Sequence, residues 1–218
     1  SLLAFHGQVV PQAAIAARIT YDGTPDHGEL RWADEQGFAI RFFEFDASAA
    51  RHLIDLGQPF AISMRSENSG HRVALCGYDA ALDTFLLRDP GSSLVREVDT
   101  KWLTSVTADK GGLCALIAPR DVLQRVPQDV TPRADACVEL VRLRHDLAER
   151  RLHDAARRAA AIEHVTEGTV RWEARFALAN EHRDRRAATR LFAERLDASP
   201  DDGYWQNAFA WALGNEGR

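Results

Sequence analysis

Two runs of the sequence decide the fold of its first half: His71-Arg72-Val73-Ala74-Leu75-Cys76-Gly77-Tyr78 and Thr84-Phe85-Leu86-Leu87-Arg88. Both have the apolar and aromatic composition of β-strands, and the short connection Asp79-Ala80-Ala81-Leu82-Asp83 separates them. Two such runs around a short link predict an antiparallel hairpin. Pro90-Gly91 ends the second strand because proline has no N–H to donate to a neighbouring strand.

Outward from the hairpin, residues 1–120 mix strands with short helices. Further strands are predicted at Phe38–Phe45, Pro59–Met64 and Cys114–Ala118. Helical spacing and cap residues predict helices at Pro11–Arg18, up to about Gly37, at Ala47–Leu56 and at Thr100–Ser105, with a turn at Tyr21–Pro25. The first half is therefore expected to be an α+β domain, an antiparallel sheet with short helices.

From Arg133 onward the strand signals disappear, and residues 121–132 are predicted to be a linker to an all-α segment, residues 133–218. Five stretches have apolar spacing near 3.6 residues: Ala134–Arg150, Asp154–Val165, Thr169–His182, Ala187–Ala198 and Tyr204–Gly214. His153-Asp154-Ala155-Ala156-Arg157 has a weak echo in Arg185-Arg186-Ala187-Ala188-Thr189. Ala188, Phe192 and Pro200 have the spacing of the second helix of a tetratricopeptide repeat. Tetratricopeptide-like helix pairs are the expected architecture.

Composition excludes several classes of protein. The chain has 218 residues, 45% of them hydrophobic and 27% charged, with a formal net charge of −5. It contains no apolar run near the ~20 residues that cross a membrane, and no basic stripe of the kind that binds nucleic acid. Its cysteines, Cys76, Cys114 and Cys137, are few, odd in number and widely spaced, which argues against disulfides and zinc. We expect a cytoplasmic protein without metal or cofactor.

His71 and Asp89 are the candidate catalytic residues. His71 begins the first strand of the hairpin and Asp89 follows the second. If the turn is centred near Ala80 or Ala81, the two side chains fall opposite or diagonally opposite on one face. A carboxylate at that place can orient an imidazole and favour its protonated form, as a base that serves a nucleophile requires. The alternative is a histidine and an aspartate at a strand end that simply face water.

The residues around this pair resemble the second half of a papain-like cysteine peptidase domain of the double-glycine, bacteriocin-processing family. The resemblance rests on Gly57-Gln58-Pro59-Phe60-Ala61-Ile62, on Ser69-Gly70-His71 through Gly77-Tyr78-Asp79, and on Leu86-Leu87-Arg88-Asp89-Pro90. It implies that His71 is the catalytic histidine and that Asp89 is the third member of the triad. Tyr21-Asp22-Gly23-Thr24-Pro25-Asp26-His27 through Arg31-Trp32-Ala33 resembles a branch in which this domain is joined to tetratricopeptide-like helices.

The nucleophilic cysteine that the resemblance implies, at the N-terminus of the first helix, is not in this sequence. One alignment places Val9-Val10-Pro11-Gln12-Ala13 on the nucleophile motif, which makes Val9 a replacement and the chain a pseudo-peptidase. The other places Ser1-Leu2-Leu3-Ala4-Phe5 on the later part of that helix, with the cysteine upstream of Ser1; we prefer the second. Cys76 lies five residues beyond His71, so strand alternation puts it on the opposite face. All three cysteines are expected to be small buried residues.

Two functions follow as hypotheses. The first is a peptidase-like module, specific for a peptide or isopeptide bond and coupled to protein-binding helices, that is inactive without a nucleophile. The second is a non-catalytic scaffold that holds a peptide or protein ligand. The expected partners are a peptide or protein, or further repeats of the same polypeptide, and neither nucleic acid nor membrane.

Overall fold

A computed structural model describes residues 2–19, 26–65, 70–92, 94–108, 112–165 and 168–216 of the chain. Its strands are β1 (Phe38–Glu44), β2 (Phe60–Arg65), β3 (Gly70–Asp79), β4 (Thr84–Arg88), β5 (Val95–Asp99) and β6 (Leu113–Pro119). The helices of the first half are α1 (Leu2–Phe5), α2 (Gln12–Ile19), α3 (Asp26–Glu35), α4 (Ala47–Asp55), α5 (Thr100–Ala108) and α6 (Arg120–Arg125). Those of the second half are α7 (Ala134–Ala148), α8 (Leu152–Val165), α9 (Thr169–Glu181), α10 (Arg185–Ala198) and α11 (Gly203–Glu216).

The six strands form one antiparallel sheet in the order β1-β6-β2-β3-β4-β5. Phe42 and Phe43 are neighbours in β1, so they point to opposite faces, and both are fully buried. Phe43 belongs to a core that contains Leu53 of α4 and Leu103 of α5. Phe42 belongs to a core formed with α7, α8 and α9. The sheet is therefore covered on both faces, which confirms the expected α+β architecture.

The five helices of the second half lie close to the predicted positions and follow a regular pattern. At the end of α7, Arg151 N–H donates to the carbonyl of Asp146 at 2.7 Å. At the end of α9, 33 residues further on, Asp184 N–H donates to the carbonyl of Ala179 at 2.8 Å. The residue just before each donor, Arg150 or Arg183, has positive φ. The α7–α8 and α9–α10 turns thus share one backbone conformation.

Residues 121–132 differ from an exposed linker. They contain most of α6, and Val126 and Val130 are buried in the same core as Phe43. The Arg41 guanidinium of β1 holds this stretch against the sheet by donating to the carbonyls of Leu123 and Val126 at 2.8 and 2.9 Å. One arginine side chain can donate to several backbone carbonyls. Because these carbonyls lie far from Arg41 in the sequence, the local composition of residues 121–132 gives no sign of the contact.

Strand β5 was not predicted because it carries little apolar signal. It is an edge strand whose sequence is Val-Arg-Glu-Val-Asp, and only Val98 in it is partly buried. Charged residues on an edge strand discourage pairing with other molecules, so such a strand resembles a loop in sequence. The predicted turn at Tyr21–Pro25 and Ser69 of the histidine motif lie outside the described residues.

Candidate active site

His71 and Asp89 meet at the open end of the β3–β4 hairpin. His71 Nε2 lies 2.9 Å from Asp89 Oδ2, and the side chains are 39% and 21% exposed. The last ladder pair is Ala74 with Arg88, so Asp89 follows beside Val73 and lies diagonal to His71 on the same face.

A β-bulge makes this pairing possible. Near the turn, Gly77 pairs with Leu86, whereas beyond the bulge Leu75 pairs with Leu87, so Cys76 is the extra residue. Without that extra residue, Asp89 would fall opposite Ala74, which points to the face away from His71. The bulge therefore moves Asp89 to the same face as the imidazole. A Cβ on Gly77 would lie 2.9 Å from Leu86 Cδ1, so a larger residue here would require the end of the Leu86 side chain to shift.

The carboxylate of Asp89 is fixed through both oxygens. Oδ1 accepts the backbone N–H of Gly91 at 2.7 Å, in the turn that ends the hairpin, and Oδ2 faces His71. The Gly91 N–H and then the His71 hydrogen bond lower the pKa of Asp89 below its ordinary value. Asp89 is thus ionised at neutral pH and can only accept hydrogen bonds.

An ionised Asp89 decides which nitrogen of His71 carries the proton. Because the carboxylate only accepts, Nε2 must donate, and in the neutral ring the lone pair is then on Nδ1. Nδ1 is the nitrogen that can take a proton from a nucleophile or a bound water. The geometry has the form of a general base with its orienting carboxylate.

A cleft of about 500 Å³ lies between the sheet and the N-terminal helices; Asp89 lines it, whereas His71 does not. Leu2 and Phe5 of α1 and Val10 and Ile15 line one side. The sheet side is formed by the ends of β2, β3 and β4 and the loop after β4: Pro59, Ala61, Arg72, Val73, Ala74, Cys76, Arg88, Asp89, Pro90 and Ser92. An apolar cleft with a few polar groups at one end is typical of a site for a peptide or small molecule.

Arg72, which lines the cleft, forms an ion pair that was not predicted from the sequence. Arg72, next to His71, pairs with Glu29 of α3 and donates to Ser63 Oγ of β2. It joins the N-terminal helices to the strand that carries the histidine. Arginine and glutamate 43 residues apart in sequence give no local signal, so only the fold brings them together.

None of the three cysteines is placed to act with His71. Cys114 and Cys137 are buried, as predicted, and burial raises the pKa of Cys114 well above its ordinary value and that of Cys137 to about 12. Cys76 is exposed and lines the cleft, so the expectation that it is buried was wrong; it is the bulge residue. Its Sγ lies 3.4 Å from the Leu86 carbonyl, and partial desolvation of the thiol, offset in part by Arg88, raises its pKa although the residue as a whole is exposed.

Two further features concern only the part of the chain that the structure describes. There, no three or more His, Cys, Asp or Glu side chains gather as they would around a metal ion. No helix in that part combines the length and the hydropathy that a bilayer-spanning segment needs.

The similarity of this chain to known proteins lies in solved structures. No protein-family model and no curated protein matches it. The peptidase domain of Streptococcus ComA, a bi-functional ABC transporter involved in quorum sensing, is 21% identical, with a TM-score of 0.47 over 55% of this chain and 86% of that one. A double-glycine-motif protease from an AMS/PCAT transporter, in complex with its leader peptide, is 15% identical, with a TM-score of 0.42 over 54% and 78%.

A third solved structure is the N-terminal peptidase-like domain of the toxin secretion ATP-binding protein from Vibrio parahaemolyticus. It is 11% identical, with a TM-score of 0.40 over 55% of this chain and 94% of that one. Each of these three similarities therefore covers about half of the present chain and most of the other protein's domain.

Proposed function

We propose that residues 1–120 are the base-bearing part of a papain-like cysteine peptidase domain of the double-glycine kind. His71 acts as the general base, and Asp89 orients it. The observation that carries this proposal is the 2.9 Å contact between His71 Nε2 and Asp89 Oδ2, and Asp89 also lines an apolar cleft. The motif resemblance around both residues supports it independently of the geometry.

The chemistry requires a thiol on the Nδ1 side of His71. Nδ1 takes the thiol proton, and the thiolate attacks the carbonyl carbon of the scissile peptide bond. The imidazolium, stabilised by Asp89, then gives the proton to the leaving amine as the C–N bond breaks. A water that loses its proton to Nδ1 hydrolyses the resulting thioester and restores the thiol.

The nucleophile must come from outside these 218 residues, since Cys76, Cys114 and Cys137 are otherwise placed. Helix α1 is the better candidate for the end of a nucleophile helix, because a reactive thiol needs a rigidly held helix. Leu3 of α1 is buried, and His6 Nε2–H donates to the carbonyl of Ile117 in β6 at 3.1 Å. The alternative nucleophile position, Val9, is 84% exposed and lies between helices.

The helical half is proposed to be a set of tetratricopeptide-like pairs that bind a protein. The shared turn conformation, 33 residues apart, supports this, and so does a sequence match: Trp172, Phe176 and Ala179 in α9 recur as Trp205, Phe209 and Ala212 in α11. Helix pairs of constant period stack through such repeated core positions.

A non-catalytic peptide-binding scaffold is the second candidate. It is favoured by the absence of any cysteine thiol bonded to His71 among the described residues. Both candidates predict that the 218-residue chain alone does not hydrolyse peptides, because the imidazole–carboxylate pair has no thiolate to serve.

The distinguishing experiment uses the chain extended by the residues that its gene encodes before Ser1. A peptidase predicts a cysteine there, alkylated by iodoacetamide faster than an ordinary thiol, because His71 increases its thiolate fraction. His71→Ala should slow that alkylation about 10-fold or more, and His153→Ala, an exposed histidine on α8, should leave it unchanged. An upstream segment without a cysteine, or alkylation indifferent to His71, would establish the scaffold instead.

A further inference from the structure

The turn after α9 and the first half of α10 carry four exposed arginines: Arg183, Arg185, Arg186 and Arg190. We call them the arginine patch. Arg183 follows α9, and the other three lie in the first half of α10. The N-terminus of this 14-residue helix adds its own positive partial charge to the same place. The surface is therefore strongly positive, although the whole chain has a net charge of −5.

The acidic residues beside the patch are engaged elsewhere. Asp184 accepts the backbone N–H of Ala187 at 3.0 Å as the helix cap. Glu194 accepts two hydrogen bonds from Arg175, at 3.0 and 3.2 Å. Within the described residues, Arg183, Arg186 and Arg190 make no ion pair. Arg185 donates to the carbonyl of Asn215 at the end of α11, at 2.7 Å, which leaves its charge uncompensated.

The equivalent turn between α7 and α8 shows that such charge is not required by the backbone. There, Arg151 pairs with Asp146 at 2.8 Å and Arg157 with Asp154 at 2.9 Å. Arg150, at the same positive-φ position as Arg183, lies 3.8 Å from Glu181. The same turn can thus be built with its arginines neutralised by the fold. Like charges held together without a counter-charge repel one another, so the patch indicates an external anion.

A groove of about 300 Å³ beside the patch has an apolar floor. Arg183 and Arg185 stand at one end with the capped Asp184, while Ala188, Phe192, Trp211 and Ala212 provide the apolar surface. Trp211 is 70% exposed, which is unusual for so large an apolar side chain. Exposed tryptophan next to arginine is the composition of residues that dominate binding at protein interfaces.

We infer that this groove binds an acidic segment of a partner protein. Its carboxylates pair with Arg183 and Arg185 of the arginine patch, and an aromatic or large aliphatic side chain beside them packs on Trp211 and Phe192. Charge complementarity selects an acidic ligand, and the small groove suits a few residues of peptide. A long nucleic acid would extend beyond the patch onto a chain with a net negative charge, which disfavours it. The inference is independent of the His71 site.

The test measures binding to the 218-residue chain by fluorescence anisotropy. The probe is a short fluorescein-labelled peptide in which glutamates flank a single phenylalanine. Matched probes replace the glutamates with glutamine, or the phenylalanine with alanine, and a single-stranded RNA of similar length is the fourth. We expect the glutamate–phenylalanine peptide to bind most tightly, with an affinity that falls as salt is raised.

Charge reversal at two positions locates the site. Arg183→Glu with Arg185→Glu, the two arginines that line the groove, should weaken binding of the first probe about 10-fold or more. Arg125→Glu with Arg157→Glu changes the net charge equally on exposed helix surfaces and should change binding less than about 2-fold. Trp211→Ala should weaken the phenylalanine probe and leave the alanine probe unaffected. Equal losses in the two double variants, tighter RNA binding, or no peptide binding up to millimolar concentration would each overturn the proposal.

Discussion

The α7–α8 pair and the α9–α10 pair occupy equivalent places in the helical half, and they differ in what holds them together. The α7–α8 pair adds an ionic network to its apolar core: Arg158 donates to Asp146 at 2.6 Å and to Glu139 at 2.8 Å. Arg151 adds a second hydrogen bond to Asp146, whose side chain is 6% exposed. A buried carboxylate with two guanidinium partners is satisfied, but the removal of one member leaves a charge without compensation.

In α9–α10 the same positions are apolar. The residues 33 places after Glu139, Asp146 and Arg158 are Trp172, Ala179 and Leu191. The Trp172 ring stacks on Phe176 at 5.0 Å, and its Nε1–H donates to the Leu191 carbonyl at 2.8 Å. Trp205 of α11 meets the same ring edge-on at 5.6 Å.

The comparison shows that one turn geometry accepts two interiors. The backbone hydrogen bonds at the two turns match, so the turn does not depend on whether charge or aromatic surface fills the space between the helices. The two interiors should nevertheless respond differently to substitution and to pH, because hydrophobic contacts do not titrate and carboxylates do.

The largest expected effect is the loss of the aromatic centre. Trp172→Ala removes a buried ring that contacts Phe176, Phe192 and Trp205, and should lower the free energy of unfolding by about 3–5 kcal/mol. Urea unfolding followed by circular dichroism measures it. Trp211→Ala, the exposed control, should stay within about 0.5 kcal/mol. A loss below about 1 kcal/mol at Trp172 would mean that the aromatic cluster does not hold the second pair.

Removal of the carboxylate at the centre of the ionic network should lower the free energy of unfolding somewhat less than Trp172→Ala does. Asp146→Ala leaves Arg151 and Arg158 without their shared acceptor. Because both arginines are partly exposed and can be rehydrated, we expect about 2–3 kcal/mol rather than the 3–5 kcal/mol of a fully buried pair. Asp154→Ala removes an exposed pair with Arg157 and should cost less than about 0.5 kcal/mol. Equal effects of the two substitutions in the same urea titration would show that the burial of the Asp146 carboxylate does not determine how much its loss destabilises the chain.

How much of this was predictable differs between the two halves. The helices of the second half have strong 3.6-residue periodicity, and their predicted bounds are close to those observed. The interiors were not predictable, because Glu139, Asp146 and Arg158 look like ordinary surface residues until the helices are paired. Only the packing of α7 on α8 brings the three together.

The candidate site was predicted in part. Strand boundaries at Thr84–Arg88 are those of the sequence analysis, and His71 and Asp89 do meet. The structural cause of the contact differs from the predicted one. The strand register beside the turn would place the two side chains on opposite faces, and the β-bulge at Cys76 shifts the register so that they share one face. A bulge has no clear sequence signal beyond the neighbouring Gly77, so the contact followed from an assumed turn centre rather than from a derived register.

Lowering the pH should destabilise the α7–α8 pair more than the α9–α10 pair. This difference in stability should be smaller than the effects of the two substitutions above. Burial alone would raise the pKa of Asp146, but hydrogen bonds from Arg158 and Arg151 outweigh it and lower the pKa; Glu139 behaves in the same way with Arg158 and Arg142. Carboxylates whose pKa is lower in the folded chain stabilise it fully above their unfolded values, about 4, and lose that contribution as pH falls toward the folded values.

Hydrogen–deuterium exchange, corrected for intrinsic rates, measures this at pH 6 and pH 3. Protection of the α7 and α8 amides should fall at the lower pH, and that of α9 and α10 should fall less. Asp146→Ala is the control, since the part of the pH effect that belongs to Asp146 should be absent from it. A uniform loss over all four helices would show instead that the difference between the interiors has no consequence for acid stability.

The smallest expected change in the free energy of unfolding comes from replacing the ionic network of α7–α8 by apolar residues, as at the equivalent positions of α9–α10. Glu139→Leu, Asp146→Ala and Arg158→Leu together remove the buried carboxylate of Asp146 and its partly exposed neighbours, and leave the partly exposed Arg142 and Arg151 to be hydrated. Replacing a complete buried ion network by apolar residues is often nearly neutral, so the free energy of unfolding should stay within about 1 kcal/mol of the original chain. The triple variant should thus be more stable than Asp146→Ala alone, a non-additivity that arises because a removed partner costs more than a removed network. If it is instead as unstable as the sum of its single substitutions, the ionic contacts contribute net stability of their own, and the two interiors are not interchangeable.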